Sequence, residues 1–217
     1  MALNLGQNPW ILIVLIFLEI FLIIIPALVA SKLGENSFKE ELKEMGFRKN
    51  MELSFDIVMK IFAGFSIGIL FFLISGYILF FFNNIIVETI FGNYFVEKGR
   101  EGVLRTEPIK PNIIQIIIVI ILQFIIVGPC EEGFFRGFVF KKCSQKIKIV
   151  YSYIISSILF SIYHTPFFLV PIETIITYFG YYFTFGLFLA LIFKYFKNSI
   201  IPGSIAHAIF NVMILLF

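Results

Sequence analysis

The sequence predicts an all-α, polytopic membrane protein of about six transmembrane helices, with a short interfacial helix after the first. Three observations predict it. Hydrophobic residues make up 59% of the 217 positions, more than the interior of a soluble domain of this length requires. The mean hydropathy is +0.97. The apolar residues also gather into six stretches of spanning or nearly spanning length, and most of the charge falls in the loops between them. The length suits one integral-membrane domain over residues 1–217, and neither an internal repeat nor a low-complexity linker divides it.

The first stretch, Trp10–Ala30, has no basic residue before it and is too long for the apolar core of a secretory signal, so it reads as a retained span. In the loop that follows, Ser37 and Glu40 have the spacing of a capping box, and Phe38, Leu42 and Met45 recur at helical intervals. That pattern predicts a short architectural helix lying on the membrane surface. The second stretch is Phe55–Phe82 and the third Asn112–Phe140. About twenty residues at 1.5 Å each cross the hydrocarbon core. The fourth, Ile149–Tyr163, is short for a crossing, while Ile172–Phe193 and Ser199–Phe217 complete the set.

Basic residues orient the chain. Lys32, Lys39, Lys43, Arg48 and Lys49 lie in the first loop, Lys141, Lys142, Lys146 and Lys148 in the third, and Lys194 and Lys197 in the fifth. Only Lys98, Arg100, Arg105 and Lys110 lie in the second, and the fourth has none. This asymmetry places the odd loops in the cytoplasm and both termini outside, in a cell membrane. The lipid bilayer is thus the first partner. Nucleic acid is excluded, because no basic tract carries interleaved aromatic residues. Cys130 and Cys143 form neither a disulfide framework nor a structural zinc pattern.

Once the loop charges are set aside, Glu19, Lys60, Glu131, Glu132, Arg136, Glu173, His164 and His207 remain in the spans. A charge at mid-bilayer costs roughly 2.5–3.5 kcal/mol on the most lenient scale, so such residues face a bundle interior or a wet cavity. Lys60 can snorkel to the interface, and Glu173 follows Pro171 at a helix start, where a carboxylate is favoured. Glu19 sits mid-span with no evident partner. Within 127-VGPCEEGFFRG-137, Glu132 and Arg136 are at i,i+4 and can pair, while Glu131 is turned away by about 100° and has no partner on its own helix. Pro129 should loosen the backbone by removing an N–H and crowding the Ile125 carbonyl. Gly133 and Gly137 should let another helix approach closely.

Both histidines of the chain fall in later spans, within 160-FSIYH-164 and 207-HAIFN-211, where His207 and Asn211 share a helix face. Measured from the cytoplasmic ends, Glu131 lies about 13–15 Å deep and His207 about 12 Å, but His164 about 22 Å, a mismatch in depth. A buried glutamate beside a neutral imidazole can activate water, and a second imidazole with an amide can donate to an oxyanion. The set therefore suits hydrolysis of an acyl bond, most naturally a peptide bond, in a membrane cavity. Glu131, His164 and His207 could equally hold Zn²⁺ with one position open, although HExxH is absent. Cys130 is a poor nucleophile beside a carboxylate. There is no G-x-S-x-G elbow, and Asp56 is the sole aspartate.

The motifs 131-EEGFFR-136, 160-FSIYH-164 and 207-HAIFN-211, in that order and on separate spans, resemble the EExxxR, FxxxH and HxxxN signatures of the CPBP family of CAAX proteases and bacteriocin-processing enzymes. The resemblance covers a core of about 112–217 and includes similarity to the type II CAAX prenyl endopeptidases. It implies that Glu131 and His164 activate water, that His207 and Asn211 stabilise the oxyanion, and that Glu132, Arg136 and Phe160 support the site. It also implies a peptide or protein substrate, prenylated in the CAAX branch. Family members have been described both as metalloproteases and as metal-independent glutamate proteases, so zinc stays open. CAAX-type members carry more helices than the six stretches marked here, which leaves the bacteriocin-related branch open as well. The expected activity is intramembrane endopeptidase, with the site nearer the cytoplasmic side. The alternatives are a non-catalytic bacteriocin self-immunity protein of the same family and an ion or proton carrier; the latter lacks the repeated halves expected of a carrier.

Overall fold

The computed structural model describes residues 8–47, 54–103 and 110–217. Arg48, Lys49 and Arg105, which entered the orientation argument, lie outside the described residues. Eight helices are formed among the described residues: α1 Pro9–Leu33, α2 Phe38–Glu44, α3 Phe55–Phe91, α4 Asn93–Glu101, α5 Ile113–Ser144, α6 Ile149–His164, α7 Ile172–Tyr195 and α8 Ile201–Leu216. Helices α1, α3, α5 and α7 are long and apolar enough to cross a bilayer, while α6 and α8 are apolar but shorter. The six stretches read from the sequence thus appear as six apolar helices, two of them not of full spanning length. Long aliphatic and aromatic side chains such as Trp10, Val14, Phe62, Ile117 and Ile125 project outward from the bundle. Lipid, not water, is the solvent that such a surface suits.

Local chemistry sets most of the helix ends. Asn8 caps α1 by accepting from the Trp10 N–H at 3.0 Å, with Pro9 at the first helical position. Asn112 and Gln115 form a reciprocal capping box at the start of α5. The expected box of Ser37 and Glu40 opens α2. Gly92, at φ 85°, separates α3 from α4. The apolar pattern predicts that α3 ends at Phe82 and that a loop follows it. Instead α3 continues through a π turn at Phe81–Val87, and α4 folds back against α7, where Thr174 Oγ1 donates to the Gly99 carbonyl at 2.8 Å. Glu173, expected at a helix start, also pairs with Lys98 at 2.5 Å, and Lys60 pairs with Asp56 at 2.6 Å.

Helix α2 is docked as well as capped. Glu41 is buried and pairs with Lys142 at 2.8 Å, and Glu44 pairs with Lys141. The Lys141 ammonium holds the Glu44 carboxyl below the usual carboxylate range. A Cβ added at Gly137 would meet the backbone of Met45, and one at Gly133 would fall 2.6 Å from the Phe47 ring. The small-residue face of α5 therefore receives the turn after α2 at Gly137, and at Gly133 it also receives the spanning helix α1, whose Ile23 Cδ1 would lie 2.8 Å from the added Cβ, as its spacing predicted.

A second small pair, Gly64 and Gly68 on α3, does seat a helix. Cβ atoms there would fall 2.6 Å from the Pro202 carbonyl oxygen and 2.6 Å from Ile209 Cβ of α8. Gly68→Leu is therefore expected to destabilise the fold by about 1–3 kcal/mol through overpacking. Gly76→Ala, with nothing within 4 Å of its Cβ, should lose nothing. Thermal unfolding of both variants in the same detergent checks the contrast.

Candidate active site

Helix α5 carries the acidic motif on a backbone that is not uniformly α-helical. A π turn at Gln123–Val127 precedes Pro129, and another π segment spans Gly133–Phe140. The first gives the proline ring room where a regular turn would clash with the Ile125 carbonyl, which is how the expected loosening is realised. Beside the second, Ser156 Oγ of α6 donates to the Phe135 carbonyl at 2.8 Å. Gly128 lets α8 approach, since a Cβ there would fall 2.5 Å from the Ser204 carbonyl oxygen. These features bring α5, α6 and α8 together around Glu131, Glu132 and Arg136.

Three ligand-type atoms converge. Nε2 of His164 lies 3.7 Å from Glu131 Oε2, and Nε2 of His207 lies 3.8 Å from the same oxygen. The depth mismatch disappears because α5 extends past Phe140 to Ser144, which puts Glu131 about 20 Å from that end, close to the value for His164. Helix α8, in turn, begins with Pro202, Gly203 and Ser204 already buried. Glu131 and His207 are almost fully buried, whereas the His164 side chain is 21% exposed, so the site opens on the His164 side.

The outer nitrogens fix the imidazoles. His164 Nδ1 lies 2.9 Å from the Phe160 carbonyl oxygen, which can only accept, so Nδ1 carries the proton and Nε2 presents its lone pair to Glu131. His207 Nδ1 faces Glu132 Oε1 at 3.4 Å, which favours the same tautomer. Glu132 is bound in turn by Arg136 Nη1 at 2.8 Å, and Arg136 Nη2 donates to the Gly186 carbonyl of α7 at 3.0 Å. The Arg136 guanidinium also lies over the Phe160 ring, 4.6 Å from its centroid. Glu132, Arg136 and Phe160 thus surround the triad.

No donor among the described residues reaches Glu131 Oε2, which faces two imidazole lone pairs. Three acceptors around one point leave room for a proton donor or a cation. One donor atom from each of Glu131, His164 and His207 lies within 4.8 Å of the others. Zinc ligand distances near 2.0–2.2 Å would draw these atoms slightly closer, and the oxygen acceptors on the Nδ1 atoms of both histidines are of the kind zinc sites use. The donor set therefore fits a zinc ion as well as a water molecule.

Asn211 sits one turn beyond His207, and its amide Nδ2 donates to Gln123 Oε1 at 2.9 Å. Gln123 was not singled out from the sequence, nor was Tyr163, whose hydroxyl donates to Glu19 Oε1 at 2.5 Å and supplies the partner Glu19 lacked. Both partners lie far away in the chain, and no local spacing marks them. Tyr182 of α7 was missed too; its ring lies 4.7 Å from that of His164.

Residues 113–213 match the family of type II CAAX prenyl endopeptidase Rce1-like proteins. The resemblance carried by the three motifs therefore holds over that segment. No curated protein and no solved structure matches the chain.

Proposed function

We propose, from the Rce1-like character of residues 113–213, that this protein is an intramembrane endopeptidase in which Glu131 and His164 activate water against a peptide carbonyl. The observation that supports it most is the convergence of Glu131, His164 and His207 from three helices on one point. A water held between Glu131 Oε2 and His164 Nε2 gives a proton to one of them as its oxygen attacks the carbonyl carbon. The C–N bond of the tetrahedral intermediate then breaks as that proton passes to the leaving nitrogen. His207, once protonated at Nε2, and Asn211, through its second amide hydrogen, are placed to donate to the oxyanion. Glu132 keeps the His207 ring oriented, and Arg136 keeps Glu132 in place. A zinc ion held by Glu131, His164 and His207 would supply Lewis acidity to the same water and carbonyl.

The substrate class follows the family: a protein or peptide, prenylated if the CAAX branch applies. The loop charges support cytoplasmic odd loops and outward termini, with the site reached from the cytoplasmic half.

The test is cleavage of internally quenched farnesylated and unmodified peptides by the purified protein in proteoliposomes. Wild type is expected to cleave, and His164→Ala to fall by about 100-fold or more. Chelator and added zinc in parallel arms distinguish a metal-dependent reaction from a metal-independent one. Absence of cleavage with every peptide, from a protein shown to be folded, would favour the non-catalytic immunity reading.

A further inference from the structure

Glu19 has no part in the triad, yet its placement is not that of a simple helix tie. It lies on a 3₁₀ turn, Phe17–Ile20, in the middle of α1. That turn contacts Gly128–Glu132, the segment of α5 carrying Glu131. Tyr163 holds Glu19 Oε1 at 2.5 Å, the separation of a hydroxyl on a carboxylate. Oε2 of Glu19 is buried and has no donor among the described residues. A buried acceptor without a donor, in a segment surrounded by lipid, is costly unless something fills it.

Glu19 and Tyr163 line a groove of about 420 Å³, a volume typical of ligand sites. Its other walls are apolar: Leu18, Leu22 and Ile25 of α1 and Phe134 of α5 among them. Leu18, Phe21 and Ile25 are about half exposed on the outer face of the bundle, so the groove opens towards lipid. It also adjoins the reactive centre. Tyr163 precedes His164, the accessible member of the triad, and the two rings lie 5.4 Å apart.

A peptide drawn out of lipid into such a groove brings the complementary problem. Its side chains suit apolar walls, but each backbone N–H that leaves water needs an acceptor. We infer that Glu19 is a substrate-positioning residue. With Oε1 held by Tyr163, its Oε2, which the free protein keeps buried, turns towards the groove to accept a backbone N–H from an extended apolar segment of the substrate lying there, and so sets the scissile carbonyl against Glu131 and His164. The role rests on the protease reading above, and it comes from a helix outside the matched segment 113–213.

The experiment uses the full-length protein in nanodiscs and quenched farnesylated and unmodified peptides in which one amide at a time is replaced by an ester, removing a single N–H. Wild type is expected to show one ester position at which KM rises about 10-fold or more while kcat changes little, the loss expected for a hydrogen bond to a charged group. In Glu19→Met, which removes the acceptor, the all-amide peptide should show the raised KM, and that ester position should no longer stand out. Tyr163→Phe should show a smaller rise, with the ester position still distinct. If Glu19→Met keeps the wild-type ester profile, or loses thermal stability with no change in KM, Glu19 is only a tie between α1 and α6 and the inference falls. Should wild type cleave nothing, fluorescence anisotropy with the same labelled peptides separates the two claims. An ester-specific loss of affinity that vanishes in Glu19→Met upholds the contact while the protease reading fails. A flat binding profile overturns the contact as well.

Discussion

On the proposed mechanism, Glu131→Gln is expected to lower peptide hydrolysis by about 100- to 10,000-fold while leaving the fold intact. The substitution keeps the volume of a residue that is 4% exposed, so packing around it does not change. What it removes is the oxygen on which both imidazole Nε2 atoms converge. An amide hydrogen can fill the gap between acceptors, so the unfolding midpoint should hold or rise while turnover is lost. The informative pair of measurements is single-turnover cleavage and thermal unfolding in the same micelle. Activity within a few-fold of wild type would move the general-base role to His164 and leave Glu131 as a polar spacer.

The second large effect concerns stability. Arg136→Met should cost about 3–5 kcal/mol, because the Glu132 carboxylate would be left buried without its counter-ion. Arg136 is fully buried and joins Glu132, the Gly186 carbonyl and the Phe160 ring in one cluster. Adding Glu132→Leu should recover most of the loss, since two apolar side chains can replace a buried pair at little net cost. Activity should not recover with it. His207 Nδ1 would have lost the carboxylate that fixes its ring, and a folded but impaired double variant would assign Glu132 both roles. Equal instability of the single and double variants would mean that Arg136 acts through Gly186 and Phe160 alone.

Much of this site could be read from the sequence because membrane insertion filters ionisable residues severely. Glu131, Glu132, Arg136 and the two histidines stood out against an apolar background, and their grouping on three spans pointed to one cavity. The i,i+4 pairing of Glu132 with Arg136 is a local geometric consequence and appears as expected. What escaped was set by contacts between distant parts of the chain. Tyr163 looks like an ordinary aromatic residue until α1 places Glu19 against it. Gln123 is one more residue of a span until the π turn and α8 bring Asn211 to it. Helix α4 was hidden differently: Asn93–Glu101 is too polar for a span and too short for a long period, and its register shows only through buried Val96 and Gly99 against α7.

Both histidines ride on the shortest apolar helices. Helices α6 and α8 have 16 residues each, about 24 Å, against a hydrocarbon core of about 30 Å. Their neighbours α3 and α5 are far longer. A bilayer can thin beside helices this short, drawing headgroups and water several ångströms inward there. On the proposed protease reading, water must reach one point and be kept from the rest, and a local mismatch in thickness would bring it near without an open channel. The choice of lipid then becomes a reaction variable: acyl-chain length should tune turnover through the supply of water, with the protein itself unchanged.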